Sequence, residues 1–444
     1  MSTTSIPDWL NNIPSSKTSI QDLAPLATTR KRCRPLTPDS TDIDMPRKSQ
    51  RPEDQDATPR AKRLQLPDAE SNYSLTSGSS ASTKSGSQSP QKQIRALRNA
   101  EDGIDTRELS ALKDPSPSLK AFIKKMKQVA KGRGMLSPSV RDAIAGHSNE
   151  DVAELDDDFY FSSDRDVLGH TPSLEEVTEI HQAAAECQGY DHAETTWNSW
   201  VHSPVLRLAL KDPGSSVFRQ IVGYMPCSTA SILPDYLPSL KIAKKVDFCI
   251  YIDPAYDQKH SGSSTLISSM CDRMVDGSIN HTDYTPLAER PLAVSIETKK
   301  LGENWNKATL QMSVSQAAQW NLIHEITVPG TRPNEALDYI PGIIIQGHNW
   351  FLVITTREGK KTVFWNKLDL GATDTIEGIY KLVYGLQVLR EWARDTYWPA
   401  FRNRVSSNID AYKELLKKEA EARVKAQEAA REAAASGREV VLPS

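Results

Sequence analysis

The chain has 444 residues, length for two or three average domains, and a formal net charge of −3. That mildly acidic balance does not suit a protein that coats nucleic acid nonspecifically, although an enzyme with one locally positive cleft stays open. The five cysteines (Cys33, Cys187, Cys227, Cys249, Cys271) show no CxxC spacing, which argues against a disulfide framework or zinc site and for a reducing compartment.

The first residues lack a signal peptide's charged and apolar regions, and no apolar run approaches the roughly 18 to 20 residues of a membrane helix. An intracellular chain is expected. Residues 1–115 are rich in Ser, Thr, Pro, Arg, Lys and Asp, too polar to offset the entropy of ordering, so a disordered arm is predicted. Within it Arg30-Lys31-Arg32-Cys33-Arg34 and Arg60-Ala61-Lys62-Arg63 read as nuclear import signals or phosphate-contacting patches. The nucleus, with the import machinery as partner, is expected ahead of the cytoplasm. Residues 116–150 read as a linker bearing a basic amphipathic helix, with Leu119, Phe122, Ile123, Met126 and Val129 at helical spacing. Packing of that stripe on the domain is expected ahead of a DNA-backbone contact.

Residues 151–405 form the globular domain. Ser173 can cap a helix over 173–188, with Glu175 and Glu176 in its first turn. A second helix, 191–210, bends near Pro204 and puts Glu194, Trp197 and Val201 on one face. His192 and His202 flank Trp197 and read as surface or capping residues. A strand follows Val217, and another spans 245–252 with Asp247 on it. Residues 254–288 are an insertion, and a third strand spans 291–299. Side chains alternate along a strand, so Glu297 and Lys299 point one way and Thr298 the other. A helix over 303–325 carries a polar stripe, Lys307, Gln311 and Ser315, on a body packed by Trp305, Ala308, Met312, Ala318 and Leu322. Trp305 is the tryptophan best placed to meet a base. Strands at 343–346, 350–354 and 362–365, with turns at Gly347-His348-Asn349 and around Gly359, precede a helix at 374–398. Residues 406–444 form a charged helical tail, supported by pairs such as Glu414/Lys418 and Glu421/Lys425. The order predicts an α/β sandwich, a mixed sheet with helices on both faces.

A carboxylate and a lysine side by side at the end of a buried strand suit phosphodiester hydrolysis: the acid holds a divalent cation and the lysine orients or deprotonates a water. The bland alternative is a cross-strand ion pair. The α-β-β-β-α-β order with Asp247 and Glu297-Thr298-Lys299 resembles the PD-(D/E)XK nuclease superfamily, with its restriction-endonuclease-like core. More narrowly it resembles fungal nuclease-like proteins of that superfamily. The matching stretches are Glu194-Thr195-Thr196-Trp197-Asn198-Ser199-Trp200-Val201-His202, Val246-Asp247-Phe248, Glu297-Thr298-Lys299 and Gln311. The resemblance implies Mg²⁺ or Mn²⁺ on Asp247, Glu297 and Glu194, a water activated or positioned by Lys299, and Gln311 near the scissile phosphate. It implies nucleic acid, DNA first, as the partner. Val246 stands where the family name has Pro, and the long gap between the acids implies an inserted element able to recognise substrate or cover the cleft. The alternative function is a non-cleaving nucleic-acid- or protein-binding module on the same fold.

Overall fold

The computed structural model describes residues 89–212, 214–216, 218–240, 242, 245–328 and 337–435. The part of the expected arm up to residue 88, with both basic clusters, lies outside the described residues. Seven strands among them form one sheet: β1 (Ile104–Glu108), β2 (Val222–Pro226), β3 (Phe248–Ile252), β4 (Leu292–Lys299), β5 (Tyr339–Gln346), β6 (Asn349–Glu358) and β7 (Lys361–Ala372), in the order β1-β7-β6-β5-β4-β3-β2. β4 runs parallel to β5 and β1 parallel to β7; the other neighbours are antiparallel. The sheet is mixed, as expected. All eight residues of β4 are buried, which suits an inner strand covered on both faces.

The helices are α1 (Pro90–Asn99), α2 (Pro117–Ala130), the short α3 (Arg141–Ala145) and α4 (Glu150–Ala153), and α5 (Leu174–Gly189). They continue as α6 (Glu194–Trp197), α7 (Ser203–Leu210), α8 (Ser263–Cys271), α9 (Trp305–Glu325), α10 (Ile376–Trp392) and α11 (Trp398–Ala435). Helix α9 covers one face, over β4 and β5; α2, α7 and α10 cover the other. The stripe Leu119, Phe122, Met126 and Val129 of α2 is buried against β7 and α10, so this helix belongs to the domain rather than to a linker. Ser173 caps α5 in a full capping box with Glu176. The hairpins β5–β6 and β6–β7 turn through Gly347 (φ 54°) and Gly359 (φ 60°), left-handed positions that glycine takes without a Cβ penalty.

One boundary and the placement of the insertion differ from the sequence expectation. The arm predicted to 115 contains α1 and β1, and β1 is an edge strand of the sheet. Ile-Asp-Thr-Arg-Glu offers one apolar residue and no alternation, so its pattern is mute. It is held by the ladder to β7 and by Arg107, which donates to Glu358 at 2.8 and 3.0 Å and to Asp105 at 2.9 Å. Charged side chains on an edge also blunt pairing with other chains. The insertion 254–288 joins the end of β3 to the start of β4, whereas Asp247 and Glu297 lie at the other ends of those strands. Its helix α8 packs on α11 rather than over the acids.

Candidate active site at the end of the inner strands

Phe248 pairs with Ile296 across the antiparallel β3–β4 ladder, and the preceding residue, Asp247, donates its backbone N–H to the Ile296 carbonyl at 3.0 Å, which sets it beside Glu297 at the strand end. Ser295, on the same face of β4 as Glu297, meets Ser315 of α9 at 3.4 Å, which places Glu297 and Lys299 on the α9 face. Thr298 faces the other way, as alternation predicts, and there meets α6. Its hydroxyl lies 3.3 Å from Glu194 Oε1 and 3.0 Å from Asp247 Oδ2, and its backbone N–H donates to Asp247 Oδ2 at 2.8 Å. Lys299 curls back over the strand end, with Nζ 2.5 Å from Glu297 Oε1 and 3.8 Å from Glu194 Oε2. It donates to the Thr298 carbonyl at 2.5 Å. The structure therefore brings together Asp247, Glu297, Lys299 and Glu194. Gln311 is near but faces the chain before Asp247, donating to the Lys245 carbonyl at 3.1 Å.

Glu297 is fully buried; its Oε1 faces the Lys299 ammonium, and its Oε2 has no hydrogen-bond partner among the described residues. An unsolvated carboxylate is costly in such a place. Burial, with Asp247 beside it, pushes its carboxyl well above the usual range, and Lys299 opposes the shift. Burial pushes Glu194 up as well, again with Asp247 adding and Lys299 opposing. Lys299 is itself buried, which works against its charge, but Glu297 and Glu194 outweigh that and hold it as an ammonium. Among the described residues no three His, Cys, Asp or Glu side chains are grouped so as to hold a metal ion. Lys299 stands between the two glutamates. The chemistry of the donors, three carboxylates with one buried Glu297 oxygen that has no partner among the described residues, does fit a hard divalent cation.

Sequence reasoning missed two parts of this assembly. Strand alternation gives Thr298 only a direction, yet its hydroxyl links Asp247 and Glu194. His202, expected at the surface or as a cap, is buried. Its ring nitrogens lie 2.8 Å from Asn198 Oδ1 and 3.1 Å from the Gly347 carbonyl, and it stacks on Trp197. Burial lowers its pKa to about 4, so it is a neutral brace between the Glu194 helix and the β5–β6 turn. The signal was Pro204: without an N–H it cannot continue an α-helical ladder, and Asn198–His202 widen into a π turn that points His202 inward. Trp305 packs edge-on to Phe351 under Lys367 instead of standing free. A cavity of about 680 Å³ bounded by Asp257, Trp398 and Arg402 contains none of the site residues.

The family model of the PD-(D/E)XK nuclease superfamily matches residues 143–398, more than half of the chain. No curated protein and no solved structure matches it. With the mixed sheet and the Asp and Glu-x-Lys at its inner strand ends, that match establishes that the chain belongs to the PD-(D/E)XK nuclease superfamily.

Proposed function

We propose that the protein hydrolyses phosphodiester bonds of nucleic acid, DNA first, in a reaction dependent on Mg²⁺ or Mn²⁺. The observation that carries this reading is the convergence of Asp247, Glu194, Glu297 and Lys299 on one strand end, two of them tied by Thr298. Asp247, Glu297 and Glu194 would hold the cation, which when bound offsets charge that builds on the phosphate. Lys299 stays protonated between its glutamates. In that state it would orient the attacking water and stabilise negative charge. Gln311 keeps the segment before Asp247 in place through the Lys245 carbonyl. The basic clusters of the arm would direct the protein to the nucleus.

The test is cleavage of plasmid, single-stranded DNA and RNA by the full chain, with Mg²⁺ or Mn²⁺ against EDTA. Lys299→Ala and Asp247→Ala are each expected to cut the rate at least about 10²-fold. A second reading, a non-cleaving binding module, is favoured by one observation: the Lys299 ammonium already neutralises Glu297 and Glu194. A folded protein that binds nucleic acid but cuts none of these substrates would select it.

A further inference from the structure

Tyr190 is 74% and Trp200 50% exposed, an unusual outlay of aromatic surface in water. His192 lies between them, its ring centroid 6.4 Å from Tyr190 and 5.4 Å from Trp200. The three rings form one tilted ladder. Tyr190 follows α5, Asp191 turns the chain through a left-handed conformation (φ 52°), and Glu194 opens α6. Trp200 sits on the π turn beyond it. Two ion pairs tie this turn to the end of β4. Lys300 Nζ lies 2.7 Å from Asp191 Oδ1, and Lys299 Nζ lies 3.8 Å from Glu194 Oε2. The ladder is thus carried by the same turn that brings Glu194 to the carboxylate cluster.

We propose that Tyr190, His192 and Trp200 are a stacking platform for unpaired bases, so that the site takes single-stranded nucleic acid or the single-stranded part of a larger substrate. This rests on the nuclease reading of the neighbouring cluster. Every base has a π-face, so an aromatic ladder holds any sequence, whereas bases inside a duplex are already stacked on one another and cannot reach it.

Binding is measured on the full chain in EDTA, by anisotropy of a labelled oligothymidylate of about 20 nucleotides and of a duplex of equal length. The single strand is expected to bind more tightly. Trp200→Ala and Tyr190→Ala should each weaken it at least about fivefold while leaving the duplex unaffected, and Trp200→Phe should recover most of the loss. Both side chains are at the surface, so unchanged thermal unfolding accompanies the expected result. Unchanged single-strand binding, or equal losses for both forms, overturns the proposal. The two readings fail separately. A protein that binds strands through the ladder but cuts nothing with Mg²⁺ sinks only the nuclease reading. One that cuts single strands equally well as Trp200→Ala sinks only the platform.

Discussion

At the scale of single residues, Thr298 decides how the site is assembled. It offers Asp247 both a backbone N–H and a hydroxyl, and the same hydroxyl reaches Glu194. Thr298→Val keeps the shape and the backbone donor but removes the hydroxyl, so the two acids lose their shared partner. The expected result is about a tenfold fall in cleavage, recovered by Thr298→Ser, with thermal unfolding nearly unchanged. Equal rates for the two variants would show that Thr298 is only a strand residue. Lys299 supports a different measurement. Its ammonium occupies the space a cation would share with Glu297 and Glu194, so Lys299→Ala is expected to tighten Mn²⁺ binding in calorimetry even as cleavage falls. Weaker Mn²⁺ binding in the variant would place the cation elsewhere. Glu297 and Lys299 were legible because strand alternation fixes who shares a face. The role of Thr298 was not, because nothing local in Glu-Thr-Lys says that a helix a hundred residues earlier will arrive on the opposite side.

At the scale of elements, the family match starts at residue 143, yet β1 and α2 precede it and complete the sheet and its cover. Phe122, Met126 and Val129 seal β7 and α10, and β1 pairs the outer edge of β7. A fragment cut to 143–435 would uncover the faces of β7 and α10 that those side chains cover, and leave a bare strand edge. It is expected to aggregate or to unfold at least about 5 °C below a fragment spanning 89–435, readable by scanning calorimetry and light scattering. Equal melting temperatures would mean that the added segment merely rests on the domain. The inner strands were legible because Val294, Ile296 and the Ile343–Ile345 run need two covered faces. β1 was not, since its register depends on backbone pairing and on Arg107 finding Glu358, 251 residues away. The π turn was half legible: Pro204 announced a bend without saying which way His202 would turn.

At the scale of the whole molecule, two histidines are enclosed without charge. Burial lowers His202 to about 4 and His281 to about 3. The His281 ring meets the Ser315 hydroxyl at 3.4 Å, and among the described residues its Nδ1 has no hydrogen-bond partner. An unfolded chain protonates both near 6.5. Below that pH the unfolded state therefore binds protons that the folded state refuses. Their contribution to stability is complete above about 6.5 and is lost as pH falls toward 4, at up to about 1.4 kcal/mol per pH unit for each histidine. Glu297, its carboxyl held high, works in the opposite sense, so the slope of the wild type alone mixes the two effects. His281→Gln isolates one of them. Denaturant titrations at pH 7, 6 and 5 are expected to show the variant losing about 1 kcal/mol less per unit than the wild type. Parallel slopes would mean that His281 is already protonated in the fold or reaches water, and the acid sensitivity of this core would have to come from its carboxylates.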